Sequence, residues 1–332
     1  MNQVMNDQSS SVDQGKQVND QLSLLNQQWQ SVIVGQKEVC EKVLIALIAN
    51  GHVLLEGVPG LAKTLIISTL AKLLGGDYKR IQFTPDMLPS DIIGTQIYNA
   101  AKQSFEPKQG PIFAQFILAD EINRAPAKVQ SALLEAMQEN QVTIGTNTYG
   151  LPKPFFVLAT QNPIDQDGTY PLPEAQMDRF LFKTILTYPS KDEEKQIIQR
   201  FQKGFPAIEN SILDIEYISV IQNQANQIYI DEKVSEYVIR LIDATRHPEN
   251  YGLDNLKAFI RCGASPRATL AFIAAAKAYA FLQHRNYVIP EDIKYLSFDV
   301  LRHRLVLTFA AEAEGMTPDK IIETILGNVE VP

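Results

Sequence analysis

Between His52 and Leu186, short continuous apolar runs alternate with longer runs whose apolar residues recur at helical spacing, and this alternation constrains the fold most. His52 to Glu56, Arg80 to Thr84, Phe116 to Ala119, Phe155 to Ala159 and Leu181 to Leu186 read as strands. The spacing predicts helices over Lys63 to Leu74, with Ile66, Ile67, Leu70, Leu73 and Leu74 inward, and over Pro126 to Glu139. Strands that are apolar at successive positions must be covered on both faces, and strands separated by helices pair in parallel. An α/β core around a five-stranded, mostly parallel sheet is therefore expected. After about residue 189 only helix signals remain, among them Glu193 to Phe201, Val234 to Thr245, Pro266 to Gln283, Pro290 to Leu305 and Pro318 to Leu326. The break at Tyr188-Pro189-Ser190 separates an α/β domain, 29–188, from a helical lid, 189–332. Residues 1–28, rich in Gln, Asn, Ser and Asp, read as a flexible polar tail.

Composition excludes several classes of function. A formal net charge of −8 argues against a surface built to neutralise nucleic-acid phosphates. No apolar run approaches the ~20 residues that cross a bilayer, and the N-terminus lacks the apolar centre of a secretion signal, so a cytoplasmic protein without membrane insertion is expected. Cys40 and Cys262 form no close pair and the four histidines are scattered, so neither a disulfide framework nor a zinc site is indicated.

The first chemical signal is GVPGLAKT, Gly57 to Thr64, between a strand and a helix. Such a loop turns several backbone N–H groups into one small space at a helix N-terminus, where polyphosphate is the natural ligand. The backbone of Gly57, Val58, Pro59, Gly60, Leu61, Ala62, Lys63, Thr64 and Leu65 would surround the phosphates, with Lys63 reaching the terminal ones and the Thr64 hydroxyl on Mg²⁺. The usual pattern GxxxxGK[ST] has glycine where this chain has Ala62. A methyl group is the smallest intrusion there, and Gly60 can supply flexibility.

Two further strands end in polar residues. FILADEI, residues 116 to 122, brings Asp120 to the metal and Glu121 towards an attacking water as general base. FFVLATQNP, residues 155 to 163, delivers Asn162 to the same crevice, where an amide can hold the lytic water or touch the γ-phosphate. Three arginines complete the set: Arg124 after Asp-Glu-Ile-Asn, Arg179 in PEAQMDRF and Arg267 in GASPRATL. Guanidinium groups neutralise developing phosphate charge without losing their own.

In order, GVPGLAKT, LADEINRAP, QSALLEAMQE, LATQNP, LPEAQMDRF and GASPRA resemble the MoxR branch of the AAA+ ATPases, over about Val34 to Arg304. Ala62 resembles the form that this branch uses. The resemblance implies an AAA+ core and lid binding ATP and Mg²⁺, with Walker A at Gly57 to Thr64, Walker B at Asp120 and Glu121, and sensor 1 at Asn162. It also implies an arginine finger at Arg179 acting on a neighbouring subunit, sensor 2 at Arg267 on the chain's own ATP, and Val34-Gly35-Gln36 near the adenine. It implies an insert in helix 2 (92–113) and a hairpin before sensor 1 (141–154), both facing a pore or a client. A ring of like subunits, hexameric, would remodel or mature a protein partner; MoxR-like proteins are associated with von Willebrand factor A domain proteins and metal-cofactor insertion. A magnesium-chelatase-type motor subunit shares the same sites. A small-molecule kinase shares the phosphate loop without predicting Asn162, Arg179 and Arg267 in order, and a DNA-acting motor would rely on Lys102, Lys108 and Lys153 against an acidic balance.

Overall fold

The computed structural model describes residues 20–163, 169–204, 206, 208 and 210–332. Two helices lead in, α1 (20–32) and α2 (Lys37–Ile48), followed by β1 (Val53–Glu56), α3 (Lys63–Leu73) and β2 (Tyr78–Gln82). Next come α4 (Pro89–Ile93), the strands β3 (Gly94–Asn99), β4 (Ser104–Gln109) and β5 (Phe116–Asp120), and α5 (Ala127–Glu139). β6 (Gln141–Ile144), β7 (Asn147–Gly150), β8 (Phe156–Gln161), α6 (Glu174–Met177) and β9 (Phe182–Ile185) complete the first part.

The central sheet has the order β2-β5-β8-β1-β9, and every neighbouring pair is parallel. The continuous apolar strands are explained by its two covers. Leu54, Ile117, Ala119, Val157 and Ala159 pack with Val129, Leu133 and Leu134 of α5 on one face. Val53, Leu55, Phe116, Leu118, Phe156 and Leu158 face the other way, into a cluster with α1, α2, α3 and the C-terminal helices. The second strand begins two residues before its expected start, because β2 is an edge strand in which Ile81 is the sole buried position and apolar patterning is weak.

The tail expected over 1–28 is corrected from residue 20 onward; residues 1–19 lie outside the described residues. Leu22, Leu25 and Trp29 of α1 are buried in the main cluster, and the Trp29 indole donates to the Ile66 carbonyl at 3.1 Å. Three apolar residues spaced three and four apart make one helical stripe, a pattern that the polar residues between them conceal.

The C-terminal region is helical, with α7 (Lys191–Lys203), α8 (Tyr217–Asn226), α9 (Glu232–Arg246), α10 (Pro266–Leu282), α11 (Pro290–Leu301), α12 (Phe309–Ala313) and α13 (Pro318–Asn328). It also carries a short antiparallel ribbon of β10 (Ile260–Cys262) and β11 (Val306–Leu307). α11 stops at Leu301, short of the expected Leu305, where Arg304 turns in to pair with Asp178 at 2.6 Å and to donate to the Phe180 and Leu181 carbonyls. A buried ion pair joins the two parts: Lys42 of α2 lies 3.1 Å from Asp299 of α11, which also accepts from Thr184 of β9.

β3 and β4 form a hairpin rooted at Gly94, whose φ is +101° and where a Cβ would stand 2.2 Å from the Lys108 carbonyl oxygen, so only glycine fits. Ile97, Tyr98 and Phe105 are exposed on it, with the two aromatic rings 5.3 Å apart. β6 and β7 form a second hairpin that touches the first region through Phe113 and Tyr149, ring centroids 6.4 Å apart.

Candidate active site

Parallel pairing brings the carboxyl ends of β1, β5 and β8 to one edge, with Glu56 level with Gln161. The loop 57–62 leaves β1 there. Its first residue is tied down by Gly57 N–H donating to the Gln161 carbonyl at 3.2 Å, and Gly57 packs on Leu186 so closely that a Cβ would stand 2.8 Å from the Leu186 Cβ. Gly60 and Ala62 both adopt positive φ, +87° and 58°. Ala62 is the N-cap of α3 in the left-handed region, which explains why glycine is usual at this position.

The loop borders a cavity of about 270 Å³ lined by Pro59, Gly60, Ala62, Lys63, Thr64, Arg80, Asp120, Glu121 and Asn162. Five expected chemical residues, Lys63, Thr64, Asp120, Glu121 and Asn162, therefore meet in one place. The Lys63 amine folds back onto the Gly57 carbonyl. Burial lowers its pKa, opposed by the carboxylates of Asp120, Glu121 and Glu56. Asn162 is buried, and its carbonyl accepts from the Asn123 amide at 3.4 Å.

Three residues at this site were not among those expected. Arg80 on β2 reaches Asp120 Oδ2 at 2.6 Å through Nη2 and 3.1 Å through Nε. Gln82, two residues on, donates to Glu121 Oε2 at 3.0 Å, and Arg124 donates to the same oxygen at 3.1 Å. Thr160 of β8 donates to Asp120 Oδ1 at 2.6 Å and accepts from Glu121 N–H at 2.8 Å. Arg80 and Gln82 sit two apart on an edge strand, a spacing that places both side chains on one face; that period was the available signal.

Val34-Gly35-Gln36 lies beside the same edge. Gln36 donates to the Thr187 carbonyl at 3.0 Å, one residue beyond the Leu186 on which Gly57 packs. Arg179 and Arg267 are absent from the cavity lining. Arg179 precedes β9, at the opposite edge of the sheet, and its Nη1 donates to the Leu134 carbonyl of α5 at 2.7 Å. Arg267 reaches Gln138, in the last turn of α5, at 3.4 Å. α5 starts near Glu121 and runs away from it, so Gln138 lies about 15 Å along the helix from that end. The lid is seated so that α10 begins at the edge bearing Arg179, with Ser265 donating to Asp178 at 2.6 Å, and Arg267 is not among the residues lining its own chain's cavity.

The donor set suits a hard cation. Asp120 and Thr64 offer a carboxylate and a hydroxyl oxygen, and no group of three or more His, Cys, Asp or Glu residues that could hold a metal occurs among the described residues. One carboxylate, one hydroxyl and nucleotide oxygens are the partners Mg²⁺ commonly takes.

The model of the ATPase family associated with various cellular activities (AAA) matches residues 52–182, and that of the AAA lid domain matches 255–325. Chaperone MoxR1 of Mycobacterium tuberculosis is 50% identical over 301 residues, covering 91% of this chain and 80% of that protein. Protein MoxR of Paracoccus denitrificans is 31% identical over 320 residues, 91% of this chain and 93% of its own. A crystal structure of a protein from Cytophaga hutchinsonii assigned as an ATPase superposes with a TM-score of 0.93 at 50% identity, covering 98% of this chain and 99% of that one. The chain belongs to the MoxR family of AAA+ ATPases.

Proposed function

We propose that this chain hydrolyses ATP to ADP and phosphate with Mg²⁺, in a ring of like subunits in the cytoplasm, and uses the cycle to remodel or mature a protein partner. The observation that carries this reading is the meeting of Lys63, Thr64, Asp120, Glu121 and Asn162 around one cavity at the N-terminus of α3. Backbone N–H groups of the loop and the Lys63 amine bind the β- and γ-phosphates. Thr64 and Asp120 hold Mg²⁺, which neutralises phosphate charge when bound. Glu121 takes the proton from the attacking water, and Asn162 orients that water against the γ-phosphate. Arg179 and Arg267 serve the ATP of the neighbouring subunit, since both stand at the edge away from their own.

The assignment of a protein client draws support from the likeness to Chaperone MoxR1 and from the exposed Ile97, Tyr98 and Phe105 on the β3–β4 hairpin. A von Willebrand factor A domain protein is the partner class we propose, with metal-cofactor insertion as the kind of maturation and six subunits as the ring. The test separates binding from turnover. Lys63→Ala is expected to weaken ATP binding, whereas Glu121→Gln should retain binding, lose hydrolysis and trap the client for capture. Near-normal turnover in both variants would remove the assignment.

A further inference from the structure

We propose that Thr160 is a positioning residue: its hydroxyl fixes the Asp120 carboxylate and the Glu121 backbone together, presenting the metal-holding group and the general base as one unit. This rests on the reading of the cavity as an ATP site.

Thr160 is fully buried within an otherwise apolar stretch of β8. A hydroxyl in such a place destabilises the fold unless it is hydrogen-bonded. Both of its capacities are used, and their direction is fixed by chemistry. The Glu121 N–H can only donate, so Oγ1 accepts it at 2.8 Å; the hydroxyl proton is then left for Asp120 Oδ1 at 2.6 Å. With Oδ1 held, Oδ2 is the oxygen available to a cation, and Arg80 is the group now bonded to it.

Glu121 needs an anchor of this kind. Its backbone sits at φ 57°, ψ 50°, a left-handed conformation uncommon in a residue with a Cβ. Thr160 ties its N–H, while Gln82 and Arg124 tie its carboxylate. Glu121 is therefore held at both ends, and the group that fixes its backbone belongs to β8, the strand that Asn162 directly follows. Packing gives no reason for the hydroxyl, because valine has the same β-branched shape.

The experiment compares Thr160→Val, Thr160→Cys and Thr160→Ser in the full chain, each checked by thermal unfolding. Mn²⁺ affinity in the presence of ADP is measured by electron paramagnetic resonance, and kcat and KM for ATP by steady-state assay. Removing an outer group that orients a metal ligand commonly costs 10- to 100-fold in metal affinity or activity. Val and Cys should weaken Mn²⁺ binding and lower kcat by about that range, with KM for ATP little changed and Ser restoring most of both. A folded Val or Cys variant with wild-type Mn²⁺ affinity and kcat would overturn the proposal, as would a Ser variant as impaired as Val. If the wild type binds Mn²⁺ with ADP but does not hydrolyse ATP, the hydrolysis reading fails while the Mn²⁺ comparison still decides Thr160. A wild type that binds no Mn²⁺ in the presence of ADP would overturn both.

Discussion

Gln82 donates its amide hydrogen to Glu121 across the ends of β2 and β5, Nε2 to Oε2 at 3.0 Å. Oε2 accepts from both Gln82 and Arg124 and must loosen these contacts before it can bond an attacking water, so this arrangement restrains the proposed general base. A hydrogen bond of this kind is worth about 0.5 to 1.5 kcal/mol net. Gln82→Ala should therefore raise basal ATP turnover by roughly two- to tenfold without altering ATP affinity. Steady-state turnover set beside nucleotide titration checks this, and unchanged or reduced turnover at normal affinity would mean that Gln82 serves catalysis in another way.

Ala62 adopts φ 58° and ψ 19° at the start of α3, where a Cβ is strained by about 1 to 2 kcal/mol. Ala62→Gly should stabilise the chain by up to about 1 kcal/mol, the strain relieved being partly offset by glycine's freedom in the unfolded state, and should keep nucleotide binding. Ala62→Val adds a second branch at the same angle, and is expected to lose stability and weaken nucleotide binding strongly. Thermal unfolding and nucleotide titration on both variants decide this; a valine variant that binds like the parent would show that the loop does not conform to phosphate.

The two-sided sheet was legible because its central strands are apolar at successive positions, and the loop 57–62 because GVPGLAKT follows a strand directly and runs into a helix. Asp120, Glu121 and Asn162 were legible for the same reason: each closes an apolar run. What stayed hidden has a different physical character. α1 buries Leu22, Leu25 and Trp29 among Gln and Asn, so its composition resembles a tail although its spacing is helical. Arg80 and Gln82 lie on an edge strand whose burial pattern is too sparse to mark it. Thr160 reads as one more β-branched strand residue until its bonds to Asp120 and Glu121 are seen. The place of Arg267 depends on how the lid is seated, which is set by distant contacts such as Lys42 with Asp299 that no local motif encodes.

His52 makes stability depend on pH. Its Nδ1 accepts from the Val157 N–H at 3.1 Å, so the proton resides on Nε2, which faces the Met137 carbonyl at 3.2 Å. Complete burial pushes its pKa from 6.5 down to about 4. Below pH 6.5 the unfolded chain takes up a proton that the folded chain refuses. The contribution is thus complete above that pH and lost as pH falls towards 4. At pH 5.0 the loss from this group is about 2 kcal/mol. Buried His303, whose pKa is also lowered by burial, adds a loss in the same direction. Urea unfolding at pH 7.5 and 5.0 should show a smaller fall for His52→Gln than for the parent; equal falls would mean that His52 is not the titrating group.

Arg179 and Arg267 should act together on a neighbour's ATP. Arg179 spends Nη1 on the Leu134 carbonyl, but its buried Nε has no hydrogen-bond partner among the described residues. Arg267 is exposed and holds Gln138 by a long contact of 3.4 Å. Arg267 therefore has donors to give, and both arginines stand at the edge of the sheet opposite the loop 57–62. A head-to-tail ring would bring that edge against the loop of the next subunit, because a heterologous contact that closes joins two different faces of one chain. Arginines supplied across an interface accelerate phosphoryl transfer by about 10³ to 10⁵ in other nucleotide hydrolases. Arg179→Ala and Arg267→Ala should each lose most turnover while binding ATP normally. Mixing either with Lys63→Ala should restore part of the activity, since some interfaces then pair an intact Lys63 site with both arginines. The two arginine variants mixed with each other should stay inactive, because no interface in that mixture holds both. If Arg267→Ala instead weakens ATP binding in the isolated subunit, the arginine reaches its own site and the lid must move; if co-assembled mixtures with Lys63→Ala remain inactive, the arginines do not act across the interface.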